Sequence, residues 1–254
     1  MGDENIREAN DLLELHDCIT DAQERFASLL ESCLRDRPTT IDQYIRYLSF
    51  QYHLTRDEQR YFMAIAEHPD LARRRTLREF LFRFANAEEL HCLVAANDLH
   101  KLGMRPLPMP FDVELWHHYF RTVGVDRPFV RLGAATILEN ISDGAAREWV
   151  RKALVGEFLT RDNTRFLALH QHETLRHGDQ ILGAIEAGGL EPRHRRDLIE
   201  GARKGVVLYL RMAEWAIRPQ GLASVCDRDI APVDAHEEAR IDTFSMDELQ
   251  PGAA

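Results

Sequence analysis

Apolar residues recur at intervals of three and four along nearly the whole chain, and no stretch alternates apolar with polar residues over the length of a strand. A helix and a strand bury their faces at different spacings, so this periodicity predicts an all-α fold. From Asn5 to about Arg35, residues such as Leu12, Leu15, Ile19, Phe26 and Leu30 hold the helical spacing until Asp36-Arg37-Pro38 ends it. Thr39 or Thr40 caps a second helix, and Thr55 with Glu58 forms the capping-box pattern that starts a short third one. A long helix is expected over 70–102, closed by Gly103 with prolines beyond. Further helices are expected near 112–122 and 127–142, around Trp149 to Leu154, from about Thr160 to Gly188, and from Glu191 to Ile217, with no internal repeat.

The 254 residues suffice for one sizeable core, and no apolar run approaches the roughly 18 residues that a membrane span needs. The polar, acidic start at Met1-Gly2-Asp3-Glu4 has neither a secretory nor a transit pattern, so a cytoplasmic protein is expected. A net charge of −10 disfavours a phosphate-backbone partner, so neither nucleic acid nor membrane is expected. Much of that charge lies in residues 219–254, where eight acids face two arginines. The chain thus divides into a helical domain, 1–218, and an acidic tail, 219–254, mobile or folded as a lid on Ile241, Phe244 and Leu249. Four widely separated cysteines offer no C-x-x-C pair, and reduced thiols are expected.

Ionisable residues on stripes that should be apolar are the clearest functional signal in a helical protein, because an unpaired buried charge is costly. On the long 70–102 helix the inward stripe runs Leu81, Phe84, Glu88, His91, Ala95, Leu99, which sets a carboxylate and an imidazole in mid-core. Glu88 and His91 have the Glu-x-x-His spacing by which one helix offers two metal donors on one face. Two other pairs share it, Glu114 with His117 and Glu191 with His194, but both read as solvated faces. The nearly all-apolar helix 128–141 holds Glu139, which needs a partner: an arginine such as Arg131 or Arg147, or a metal. Farther on, His170, Glu173 and His177 fall on one helical face. Either histidine taken alone reads as an ordinary core residue. Together the carboxylates and imidazoles, without thiolate, favour iron or manganese over structural zinc, and six donors suggest two ions.

The order and spacing of three segments resemble the haem-oxygenase-like diiron oxidases and oxygenases. These segments are Glu88-x-x-His91 followed by Asp98-Leu99-His100-Lys101-Leu102-Gly103, Gly133-Ala134-Ala135-Thr136-Ile137-Leu138-Glu139, and Phe166-Leu167-Ala168-Leu169-His170 leading to His177. Relatives in that family include a fatty-acid decarboxylase that forms terminal alkenes and para-aminobenzoate-forming oxygenases, and thiaminase II shares the fold. The resemblance implies a haem-oxygenase-like bundle of about seven to nine helices around a central metal site. It also implies two Fe(II) ions per chain, bound by Glu88, His91, Glu139, His170 and His177, and O2 as co-substrate through a peroxo-diiron species. The family's usual Asp falls here at Thr174, and Glu173 is the candidate replacement ligand.

The expected substrate is a small amine, amino acid or carboxylic acid in a biosynthetic pathway. Family members are often homodimers, and an external electron donor fits such chemistry. Arg131 is a candidate to hold a substrate carboxylate or to form a structural ion pair. Phe84, with Phe50, Phe62 and Leu81, is a candidate pocket wall or plain core. Two other readings compete. One is a metal-independent enzyme like thiaminase II or pyrroloquinoline-quinone synthase, which in the thiaminase case would need a pocket cysteine such as Cys92. The other is a non-enzymatic metal- or partner-binding protein with a decayed site. A ferritin-like carboxylate site would need another early carboxylate, and Glu58, in its capping box, is poorly placed for that.

Overall fold

The computed structural model describes residues 2–169 and 177–218, with side chains described from Leu12 onward. The acidic tail, and His170, Glu173 and Thr174, lie outside the described residues. The described chain is α-helical and contains no strand: α1 (Gly2–Leu34), α2 (Ile41–Thr55), α3 (Glu58–Glu67), α4 (Arg75–Glu88), α5 (His91–Lys101), α6 (Phe111–Gly124), α7 (Pro128–Asn140), α8 (Arg147–Ala153), α9 (Arg165–Leu169), α10 (His177–Glu186) and α11 (Pro192–Ile217). No described helix is long and apolar enough to cross a membrane.

Local signals explain several of these ends. Thr40 caps α2 reciprocally: its hydroxyl accepts from Gln43 N–H, and the Gln43 side chain accepts from Thr40 N–H at 2.8 Å. The capping box expected at Thr55 does not form. Thr55 sits inside α2 and donates its hydroxyl back to the Gln51 carbonyl at 2.8 Å, which leaves Glu58 to turn inward from the first turn of α3. The single helix expected over 70–102 is interrupted: α4 stops at Glu88, residues 89–90 form a turn, and α5 starts at His91. Neither proline nor glycine marks that turn, so the periodicity runs through it.

Two hydrophobic cores organise the molecule. The larger joins α1, α3, α4, α6, α7, α10 and α11 with Phe50 and Leu54 of α2, and the smaller packs the rest of the buried face of α2 against α5 and Phe166 of α9. The most extensive pairing is α7 with α11. It depends on Gly133 and Gly201, where the helix backbones touch: an added Cβ at Gly133 would lie 2.8 Å from the Leu198 carbonyl carbon, and one at Gly201 would lie 2.7 Å from that of Val130. In the smaller core the buried Asp98 carboxylate accepts the Phe166 N–H at 2.8 Å and so pins the start of α9 onto α5. Its other oxygen has no donor among the described residues, and burial pushes its pKa up to about 7.

Two histidines expected on solvated faces are buried instead. His117 lies between Tyr61 and the His53 carbonyl, and burial lowers its pKa to about 4. His194 stacks on Phe129 with ring centroids 4.3 Å apart. Each Glu-x-x-His spacing placed the glutamate on a helix rim, and the histidine turned inward because an imidazole packs well once its nitrogens are satisfied.

Candidate metal centre

Glu88 ends α4, His91 begins α5, Glu139 sits in the last turn of α7, and His177 lies on α10. The fold brings these four side chains together at the meeting of the two cores. Glu88 and His177 are buried, as is His91, and the Glu139 side chain is 11% exposed. The Glu88 carboxylate faces a different imidazole with each oxygen: Oε2 lies 2.6 Å from His91 Nδ1, and Oε1 lies 2.9 Å from His177 Nδ1. Glu139 Oε2 approaches the same His177 nitrogen at 3.4 Å. One donor atom each from Glu88, Glu139 and His177 lies within 4.8 Å of the others.

Gly178 makes this convergence possible. A side chain there would meet the Glu139 carbonyl oxygen at 2.9 Å, so only glycine lets α10 lie against the end of α7 beside His177. Phe84 meets the His177 ring edge-on at 4.7 Å and is itself backed by Phe62 at 4.8 Å. The expectation that Phe84 forms a pocket wall therefore needs correction. It packs behind the imidazole and fixes its orientation, and neither Phe50, Phe62 nor Leu81 lines the cavity.

Of the two alternatives for Arg131, the structural ion pair is the one that forms, and neither Arg131 nor Arg147 pairs with Glu139 among the described residues. Arg131 is 1% exposed, and its Nη2 donates to both carboxylate oxygens of Glu58. Its guanidinium carbon lies 4.9 Å from the ring centre of Tyr61, 5.5 Å from Trp116 and 5.7 Å from Phe120. Arg147 pairs with Asp143 at 2.8 Å. Glu58 is the residue that sequence reasoning passed over: it lines the same cavity as Glu88, Glu139 and His177. Its signal was present in Arg131, a lone cation on an apolar helix that required a buried anion somewhere.

Electrostatics set the character of the centre. Glu58, Glu88 and Glu139 bring three carboxylates together with one guanidinium and two imidazoles. Burial pushes Glu58 up to about 7, and the neighbouring Glu88 and Glu139 add to the effect against the pull of Arg131. Burial acts the same way on Glu88, but the imidazoles on its two oxygens outweigh it and hold the carboxyl well below the usual range. His91 is the counterpart: burial opposes its charge, yet the adjacent Glu88 carboxylate raises its pKa above that of an ordinary histidine. A buried set of carboxylates and imidazoles without thiolate has the donor chemistry for a divalent metal ion.

Glu58, Glu88, Glu139 and His177 line a cavity of about 290 Å³ together with Tyr47, Val150, Phe166 and Tyr209. Cys92 packs in the smaller core, and no cysteine is among the residues lining the cavity.

No protein-family model matches the sequence, and no curated protein does. Among solved structures, the chain is similar to a domain of unknown function with a heme oxygenase-like fold from Shewanella denitrificans OS217. The two share 18% identity and a TM-score of 0.64 over 90% of this chain and 98% of that one. The likeness speaks to architecture: this chain has an all-α, heme-oxygenase-like fold. Within it lies a group of three side chains with the makings of a metal site.

Proposed function

We propose that the protein is a non-haem iron oxidoreductase that uses O2 to oxidise a small amine, amino acid or carboxylic acid. The observation that carries this reading is the convergence of Glu88, Glu139 and His177 in the lining of a cavity, with His91 against the other oxygen of Glu88. Glu88, Glu139 and His177 would hold one ion. His91 is positioned to serve a second, whose remaining donors would come from His170 and Glu173, outside the described residues. Iron bound there supplies the redox chemistry with O2 that no side chain in the cavity can perform.

The chain's own contributions follow from the geometry. Phe84 and Phe62 hold the His177 ring, while Gly178 sets its distance from Glu139. Glu58, with a pKa near 7, can take up or release a proton at its carboxyl inside the cavity at neutral pH, and Arg131 fixes where that carboxyl lies. A thiaminase-like reaction is disfavoured by the absence of a cysteine among the cavity-lining residues.

The test is anaerobic titration of metal-free protein with Fe(II), a count of bound iron, and then addition of O2 while the visible spectrum is followed. Stoichiometric iron and a new absorption band on oxygenation are expected, both lost in Glu139→Ala. Trace iron only, with Glu139→Ala indistinguishable from wild type, would overturn the reading.

A further inference from the structure

The cavity mouth carries a second set of charges, opposite in sign to its base. On α8, Arg147, Val150 and Arg151 follow at the three- and four-residue spacing of one helical face, and all three line the cavity. Arg147 is neutralised by Asp143, which also lines the mouth. Arg151 is exposed and has no ion pair or side-chain hydrogen bond among the described residues. Between this rim and the buried Glu88 the wall carries the apolar side chains Leu54, Leu138, Phe166 and Leu167 interspersed with Gln51, Thr55 and Ser142.

An anion entering such a cavity meets an unpaired guanidinium at the rim, whereas in the metal-free protein the base offers carboxylates, imidazoles already facing Glu88, and no free cation among the described residues, since Glu58 engages Arg131. Its charged end is therefore held at α8 and its other end is directed inward. A guanidinium with free donors matches a carboxylate in geometry as well as charge. A volume of about 290 Å³ sits at the lower edge of ligand cavities, which run from roughly 300 Å³ upward, so the molecule is metabolite-sized.

We propose that α8 is a carboxylate anchor: Arg151, assisted by Arg147, holds the acid group of a small carboxylic acid with an apolar body at the cavity mouth, and the end remote from that group reaches Glu88, Glu139 and His177. Resting on the iron reading above, this assigns oxidation to the far end of the substrate and leaves its carboxylate intact. It also moves the acid-binding role away from Arg131, which Glu58 and the aromatic rings already occupy.

The test measures binding rather than turnover. Full-length protein, freed of metal with a chelator, is titrated calorimetrically with octanoate, octanamide and octyl phosphate, and the series is repeated after loading with Zn(II). Octanoate is expected to bind about tenfold more tightly than octanamide in both states, the scale of one charge-assisted contact at a partly solvated site. Arg151→Gln should abolish that preference, Arg147→Gln should reduce it by a smaller factor, and Arg196→Gln, an exposed arginine on α11, should leave it unchanged. Equal affinity for acid and amide, no measurable binding of octanoate, or a preference that survives Arg151→Gln would overturn the anchor. So would tighter binding of octyl phosphate than of octanoate, or an octanoate affinity that depends on Zn(II) and not on Arg151. Because the metal-free protein reports the anchor, a failure to bind iron and a failure to prefer carboxylates are separate results.

Discussion

Replacing Gly133 with alanine tests how the ligand helix α7 is held. Non-bonded carbons rest at roughly 3.5–4.0 Å. A Cβ built at Gly133 would stand 2.8 Å from the Leu198 carbonyl carbon and 2.9 Å from its Cα, atoms of the α11 backbone that cannot rotate aside. The Leu198 carbonyl oxygen stands closer still, so the helices must part by about 1 Å or more, a gap that forfeits up to half of each contact across the seam. Overpacking of this kind costs about 1–3 kcal/mol, and with a backbone partner we take about 3. Alanine returns about 1 kcal/mol through helix propensity. The net expectation is a loss of about 2 kcal/mol, or a melting point lower by roughly 4–8 °C for a domain of this size. Gly183→Ala is the matched control: it lies within α10, and its Cβ would have nothing within 4 Å, so the same substitution should be neutral or raise the melting point by a few degrees. Because Glu139 rides on α7 two turns beyond Gly133, Gly133→Ala should also weaken Fe(II) binding about tenfold or more, whereas Gly183→Ala should not. Thermal melts and anaerobic iron titrations of the two variants decide the matter. A Gly133→Ala protein as stable as wild type would refute the close approach.

Two further outcomes follow from buried charge. Arg131→Met strands Glu58 and should cost about 3–5 kcal/mol in urea denaturation, with much of it recovered in the double variant Arg131→Met, Glu58→Leu. The single-variant loss should be larger at pH 8 than at pH 6, since at the lower pH Glu58 can be protonated; a double variant no better than the single would argue against the pair. Asp98 has a folded pKa of about 7 against an ordinary 3.8, so the folded state alone holds its proton between those values, and this contribution to stability falls as pH rises from about 4 to 7. Asp98→Asn should therefore melt above wild type at pH 8, and the gap should close toward pH 5. His117 titrates in both proteins and cancels in the difference, and a gap independent of pH would contradict the raised pKa.

Elements with strong periodicity were legible in the sequence. The stripes of α2, α7 and α11, the cap at Thr40 and the start of the last helix after Glu191 lie where the spacing put them, because helical propensity and burial agree there. Glu88, His91, Glu139 and His177 stood out because each broke an apolar run, and the fold does place them side by side. The break between Glu88 and His91 was not legible, since ordinary helix formers occupy the turn. Glu58 was hidden by a local pattern, Thr55-x-x-Glu58, that two competing bonds dissolve: Thr55 back-bonds within α2, and Arg131, 73 residues away, claims the carboxylate. Long-range pairing of this sort leaves only half of its signature at each position.

The interruption of the helix at residues 89–90 puts Glu88 and His91 in different cooperative units. Glu88 ends a helix whose apolar face belongs to the larger core, whereas His91 opens one that packs with α2 in the smaller. With no continuous helix through the joint, α5 can open while α4 and α7 stay folded. A cation gripped from both sides would act as a rivet across that seam. Amide exchange in α5 would then slow on metal loading far more than in α11, and the two halves of the protein would begin to unfold as one.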